Sequence, residues 1–177
     1  MLTEPYWIEG SWPGRLAISA RPRGGDWLID EVSRWRTKGI DIVVSLLTPA
    51  EVEEMELQNE DLYCRQNKIE FVSFPIEDRM TPASDPAAIR LIEKLGSDLA
   101  HGRNVVIHCR QGIGRSGLVA VSLLLERGLS VPKAVERVSG ARRTQVPETS
   151  EQLAWIENHA AMLSAVGHLA VTPERKP

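Results

Sequence analysis

At 177 residues the chain is long enough for one domain with a sizeable buried core, and its formal charge of −3 argues against a nucleic-acid or membrane-surface partner. No apolar run reaches the ~18 residues that a spanning helix needs, and residues 1–7 lack the basic-then-apolar pattern of a signal peptide, so a soluble cytoplasmic protein is expected. Two cysteines, Cys64 and Cys109, make no disulfide framework and suit a reducing compartment.

The opening residues mix Tyr6, Trp7 and Trp12 with Pro and Gly, which reads as irregular or edge structure packed by its aromatics. Residues 14–19 read as a strand, closed by the turn-rich stretch 21–25. Asp26 has the chemistry of an N-cap for a helix running to about Lys38, with Leu28, Ile29, Val32 and Trp35 near helical spacing and Gly39 as its stop. Residues 41–47 form the next buried strand. Thr48 and Glu51 then have capping-box spacing, with Pro49 at the first helical position. A short helix over 59–67 precedes a strand over 70–74, which runs into a loop holding Pro75, Asp78, Pro82 and Asp85. Asp85 and Pro86 open a helix that continues to about His101.

Residues 104–107 are apolar and β-branched, as in a buried strand, and 118–125 are apolar almost all round, as in a buried helix. Between them lies a loop with Cys109, Gly112, Gly114 and Arg115. Gly128 ends the helix, and Ser130 caps another that runs to about Ser139. Thr149 and Gln152 repeat the capping-box spacing before a last helix, and the chain from Thr172 reads as frayed. The expected organisation is one domain over residues 1–172 with a tail over 173–177. Alternating strands and helices imply an α/β fold, a central, mostly parallel β-sheet flanked by helices, with a helical C-terminal half. In such sheets ligands bind beyond the carboxyl ends of the strands, where the Cys109 loop falls.

A strand, a glycine loop and a helix N-terminus together build a nest of backbone N–H groups that suits a phosphate. Cys109 would lie on its floor, where the helix terminus and nearby cations favour the thiolate. Arg115 offers a planar fork for two phosphate oxygens. Ser116 can donate a hydrogen bond to the sulfur, and His108 can order the loop through its ring nitrogens. Arg110 and Gln111 are expected to point outward at the rim.

The string from His108 to Ser116, His-Cys-x-x-Gly-x-x-Arg-Ser, resembles the signature loop of the cysteine-dependent protein phosphatases, with spacing closest to their dual-specificity branch. The resemblance implies a phosphomonoester hydrolase with a Cys109 nucleophile, a phosphocysteine intermediate and an Arg115 clamp. The phosphate loop would be built from His108, Arg110, Gln111, Gly112, Ile113 and Gly114. The family takes its general acid from an Asp on an upstream loop, and residues 74–78 look like that loop, with Asp78 in the family's position; in the second step Asp78 would switch to general base and activate the water that hydrolyses the phosphocysteine. Glu77 and Asp85 compete for the role, although Asp85 also serves as a helix cap and Glu77 as a solvated loop carboxylate.

Some family members orient the attacking water with a late polar residue. Gln152 fits that part and fits a capping box equally well. Arg142 and Arg143 read either as a substrate-steering rim or as a solvated turn. Cys64 reads as a half-buried structural residue, with a protective disulfide to Cys109 as the alternative. No extra pocket-deepening loop is evident, so a shallow pocket is inferred.

A phosphorylated protein is the first substrate reading, and a phosphoinositide or small phosphate ester the second. Lipid-directed relatives often carry Lys in the loop, whereas Arg110, Gln111 and Ile113 stand here. A non-catalytic phosphate-binding module could dispense with the Cys. Sulfur-transfer enzymes do not need the upstream acid, and small arsenate-reductase-like proteins place such a loop near the N-terminus. A monomer is expected, with no cofactor and no metal, since His101, His108, His159 and His168 lack ligand spacing.

Overall fold

Strands β1 (Tyr6–Ile8), β2 (Leu16–Ala20), β3 (Ile42–Ser45), β4 (Glu70–Ser73) and β5 (Val105–Cys109) form one sheet in the order β1-β2-β5-β3-β4. The computed structural model describes residues 3–169, with side chains described through residue 165. All pairs are parallel except β1 with β2, so the aromatic opening segment becomes an antiparallel edge. Cys109 ends the central strand, level with Ala20 of β2, at the carboxyl edge of the sheet.

Helices cover both faces. On one lie α1 (Leu28–Thr37) and α3 (Glu60–Gln66), which pack Leu28, Val32, Trp35 and Cys64 against Ala17, Val43 and Val106. On the other, α4 (Asp85–Ala100), α5 (Gly114–Glu126), α6 (Val131–Arg142) and α7 (Ser150–Leu169) pack against Leu16, Ile42, Val105 and Ile107. Within α5, Leu118, Val119, Leu123 and Leu124 are buried, each contributing roughly 1.5–3 kcal/mol by leaving water. The all-round apolar sequence of α5 is explained by its central place among these helices.

Strand alternation sorts β5 between the two layers. Ile107 and Cys109 join the α4–α7 side, whereas Val106 and His108 turn toward α1 and α3. Cys64 therefore packs across the sheet from Cys109, which removes the disulfide reading. It is fully buried rather than half-buried, and burial, with Glu60 and Asp61 close by, pushes its thiol well up.

Short α2 (Pro49–Glu54) starts with the expected capping box, Thr48 Oγ1 accepting from Glu51 N and Glu51 Oε2 from Thr48 N. Three local expectations need correction. Asp26 caps nothing: it lies in a 3-10 turn (Gly25–Trp27) ahead of α1. That turn is docked on the 55–56 backbone through Gly25 N to Glu56 O (2.9 Å), and a Cβ on Gly24 would sit 1.8 Å from Met55 O. Ser130 holds the N-cap position of α6 without a side-chain bond, and α6 runs on to Arg142. Ser84, not Asp85, is the N-cap residue of α4, and Asp85 Oδ1 instead accepts from Trp155 Nε1 at 2.7 Å. The expected break at Thr172 lies outside the described residues.

Candidate active site

The chain leaves β5 at Cys109 and enters α5 at Gly114, and the loop between them is pressed on β2. Gly112 has φ +68°, and a Cβ there would fall 2.4 Å from the Ser19 backbone, so glycine is required on both counts. This bend aims Gly112 N–H at Cys109 Sγ (3.3 Å), and Ser116 Oγ lies 3.4 Å from the same sulfur. With the N-terminus of α5 beside it, the sulfur sits among groups that stabilise negative charge.

The loop is also braced from behind. Arg142 donates from Nε to Gly112 O (2.9 Å) and from an NH2 group to Gln111 O (3.0 Å), and its guanidinium lies over the Tyr6 ring at 4.3 Å. These bonds hold two loop carbonyls outward. Arg142 is thus neither a steering rim nor a solvated turn. Gly117 lets α5 approach the 146 segment closely, because a Cβ there would lie 1.9 Å from Val146 Cγ1. That approach brings Glu148 to the loop.

Arg115 is buried, and both of its terminal NH2 groups are engaged. It pairs bidentately with Glu51 (2.7 and 2.9 Å), donates to Ile76 O (2.9 Å), and reaches Asp78 Oδ1 at 2.8 Å. Burial alone would lower its proton affinity, but Glu51, the Cys109 sulfur and Asp78 together raise it. For Glu51 burial pushes the carboxyl up, yet Arg115 and the Thr48 amide outweigh it and hold it below the ordinary 4.5.

Removing one partner of a buried pair typically costs about 3–5 kcal/mol. Glu51→Ala should therefore lower unfolding stability by roughly that amount in urea titrations at neutral pH. The depressed carboxyl binds protons more readily in the unfolded chain. Its contribution is thus complete above pH 4.5 and is lost as pH falls through its folded value, so the gap from wild type should narrow in acid. A pH-independent gap would show that the Arg115 pair is not its source.

Cys109, Arg115, Asp78, Arg110, Gln111, Gly114 and Glu148 line one hollow of about 30 Å³. A wider depression of about 520 Å³ between α5, α6 and α7 is lined by neither a cysteine nor an arginine. Asp78 arrives on the loop after β4, which stays in register past the strand end through Phe74 N to Ser45 O and Ile76 N to Leu46 O. Arg110 points outward, to Glu54 and Glu51, and Gln111 is exposed, both as expected for the rim. Ile113 holds the N-cap position of α5.

His108 does not belong to the hollow. Its ring faces the opposite side of the sheet, 2.9 Å from Glu60 Oε1 and 5.9 Å from the Trp35 ring centroid, so its nitrogens do not order the loop. Asp85 lies away on α4, held by Trp155. Gln152 is fully buried and completes the capping box, its Oε1 accepting from Thr149 N and its backbone N donating to Thr149 Oγ1. It also accepts from Glu148 N and donates to Met80 O, which ties the Asp78 loop to the start of α7. Glu51 was visible in the sequence only as a capping residue, and nothing in the sequence marked Glu148. Among the described residues, no group of three His, Cys, Asp or Glu side chains is placed to hold a metal ion, and no helix is long and apolar enough to cross a membrane.

Comparison with known proteins bears on this geometry. The family model described as "Swiss Army Knife protein, DSP-PTPase phosphatase domain" matches residues 6–164. A putative tyrosine phosphatase of Invertebrate iridescent virus 6 is 30% identical over 118 residues, 60% of this chain and 43% of that protein. Cyclin-dependent kinase inhibitor 3 of Rattus norvegicus is 30% identical over 133 residues, 73% of this chain and 62% of that one. The chain thus spans about two-fifths to three-fifths of these relatives' length. Among solved structures, kinase associated phosphatase superposes with a TM-score of 0.84 at 22% identity, covering 93% of this chain and 98% of that one. With nearly the whole of the described fold, the Cys109 loop included, inside the family match, the chain belongs to the dual-specificity-like cysteine phosphatases, as a phosphatase domain of the Swiss Army Knife type.

Proposed function

We propose that this phosphatase hydrolyses phosphomonoesters of proteins through Cys109, with Arg115 as phosphate clamp and Asp78 as general acid. The observation that carries the reading is the convergence of Cys109 Sγ, Arg115 and Asp78 on one small hollow at the carboxyl edge of the sheet. The thiolate attacks phosphorus, the S–P bond forms as the ester P–O bond breaks, and the leaving oxygen takes the proton of Asp78. Water then releases phosphate and returns the thiolate. Backbone amides of the loop and Arg115 meet the charge on the three equatorial oxygens.

Asp78 takes one of the Arg115 NH2 hydrogens, and Glu51 and Ile76 O take the other terminal ones. A phosphate held bidentately would use Nε and the hydrogen now given to Asp78. Substrate binding thus releases the Asp78 carboxyl from the guanidinium and leaves it beside the scissile ester, where an acid is needed. Ser116, 3.4 Å from the sulfur, would stabilise the departing thiolate in the second step.

The Asp78 side chain is 55% exposed at the mouth, which supports a shallow site open to phosphoserine and phosphothreonine as well as phosphotyrosine. Asp78→Asn should lower kcat on an aryl phosphate by about 10²–10³-fold and flatten the limb of the pH profile that reports the acid, with vanadate binding retained. Asp85→Asn should leave both nearly unchanged. The reverse pattern would move the acid to Asp85. A panel of phosphotyrosine and phosphothreonine peptides and a phosphoinositide, with Cys109→Ser as blank, tests the substrate class; turnover confined to the lipid headgroup would overturn the protein reading.

A further inference from the structure

We propose that Glu148 is a second catalytic carboxylate, the base that takes a proton from the water hydrolysing the phosphocysteine; this rests on the thiolate mechanism proposed above. Glu148 lines the same hollow as Cys109, Asp78 and Arg115. Its Oε2 lies 2.9 Å from the point where a Cβ on Gly114 would stand, over the first residue of α5. Its other oxygen is held by Arg79 (3.1 Å), and its backbone N–H by Gln152 Oε1 (3.2 Å). Among the described residues Oε2 has no hydrogen-bond partner. One end of the side chain is thus anchored, and the other faces the place where the phosphoryl group would rest.

The two competing groups are less well placed for this step. Gln152 is fully buried, and its side-chain amide bonds the N–H groups of Glu148 and Thr149 and the carbonyl of Met80. Asp78 is the acid of the first step, and its side chain is the more exposed of the two at the mouth, 55% against 35% for Glu148, which Arg79 and Gln152 hold in place. Two carboxylates in unlike surroundings can divide acid and base work between them.

In the step itself, water oxygen bonds to phosphorus and the P–S bond breaks, its electron pair remaining on sulfur as the thiolate. The proton of the water passes to Glu148 Oε2 and then to solvent. Asp78 regains its own proton from solvent.

Steady-state and rapid-quench kinetics with p-nitrophenyl phosphate separate the two steps. Glu148→Gln should lower kcat by about 10- to 100-fold, near the lower end of what such groups contribute, and leave kcat/KM within about twofold. A burst approaching one equivalent of p-nitrophenol should appear, with phosphocysteine trapped on quenching. Glu148→Asp, which keeps the carboxylate, should show a smaller fall in kcat with the same split, and it stands in if the Gln variant does not fold. A loss of kcat/KM without a burst would mean that Glu148 only supports the loop through Arg79, and unchanged kinetics would mean that it is idle; either overturns the proposal. Wild-type turnover by Cys109→Ser would instead overturn the thiolate mechanism, so the two failures are distinguishable.

Discussion

Cys109→Ser is expected to reduce turnover of an aryl phosphate by at least ~10⁴-fold while leaving vanadate or phosphate binding measurable. The exchange removes one polarisable sulfur and little else. The Gly112 amide, the Ser116 hydroxyl and the N-terminus of α5 are arranged to hold a charge on that atom, and a serine hydroxyl at neutral pH carries none for them to stabilise. Binding should survive, because its donors are loop amides and Arg115 rather than the nucleophile. The loop should keep its shape as well, since the Arg142 bonds to Gln111 O and Gly112 O and the contact of Gly112 with β2 do not involve the sulfur. Stopped-flow turnover beside equilibrium binding on the same preparation checks both halves. Retained wild-type turnover would remove Cys109 from the chemistry.

Arg115→Lys is expected to lower kcat/KM by about 10³-fold or more and to weaken vanadate binding, although the charge is kept. The guanidinium is planar, and its paired donors meet Glu51 on one side while reaching Asp78 on the other. An ammonium offers three donors from a single point and cannot satisfy a bidentate carboxylate and a bidentate phosphate together. Some of the loss should therefore appear as reduced stability, from a Glu51 carboxylate left without its fork. Comparing kcat/KM and urea midpoints for Arg115→Lys and Glu51→Ala separates the two effects. Glu51→Ala should share the stability loss and keep more of the phosphate binding. An Arg115→Lys protein with wild-type kcat/KM would take Arg115 out of the site.

Features carried by neighbouring residues were legible without coordinates. The alternation of apolar strands and amphipathic helices implied the α/β sheet, Thr48 with Glu51 and Thr149 with Gln152 formed the expected capping boxes, and Cys109 six positions before Arg115 marked the loop. Two of the errors were places where a distant segment decided the outcome. Asp26 lost its capping role because the 24–25 turn is docked on residues 55–56. Asp85 was taken up by Trp155, seventy positions away.

From its sequence alone this protein declared its fold class, its strand–loop–helix around Cys109 and its family, because turn chemistry, periodicity and a short glycine-bounded string act within a few residues of one another. Tertiary structure alone decided that Arg115 is gripped by Glu51, 64 positions earlier, that Arg142 braces the loop, and that His108 looks away from it toward Glu60. The physical reason lies in the strand order β1-β2-β5-β3-β4, which sets β5 between β2 and β3 in a sheet covered on both faces, so that the pleat of the strand turns each successive side chain to the opposite helical layer.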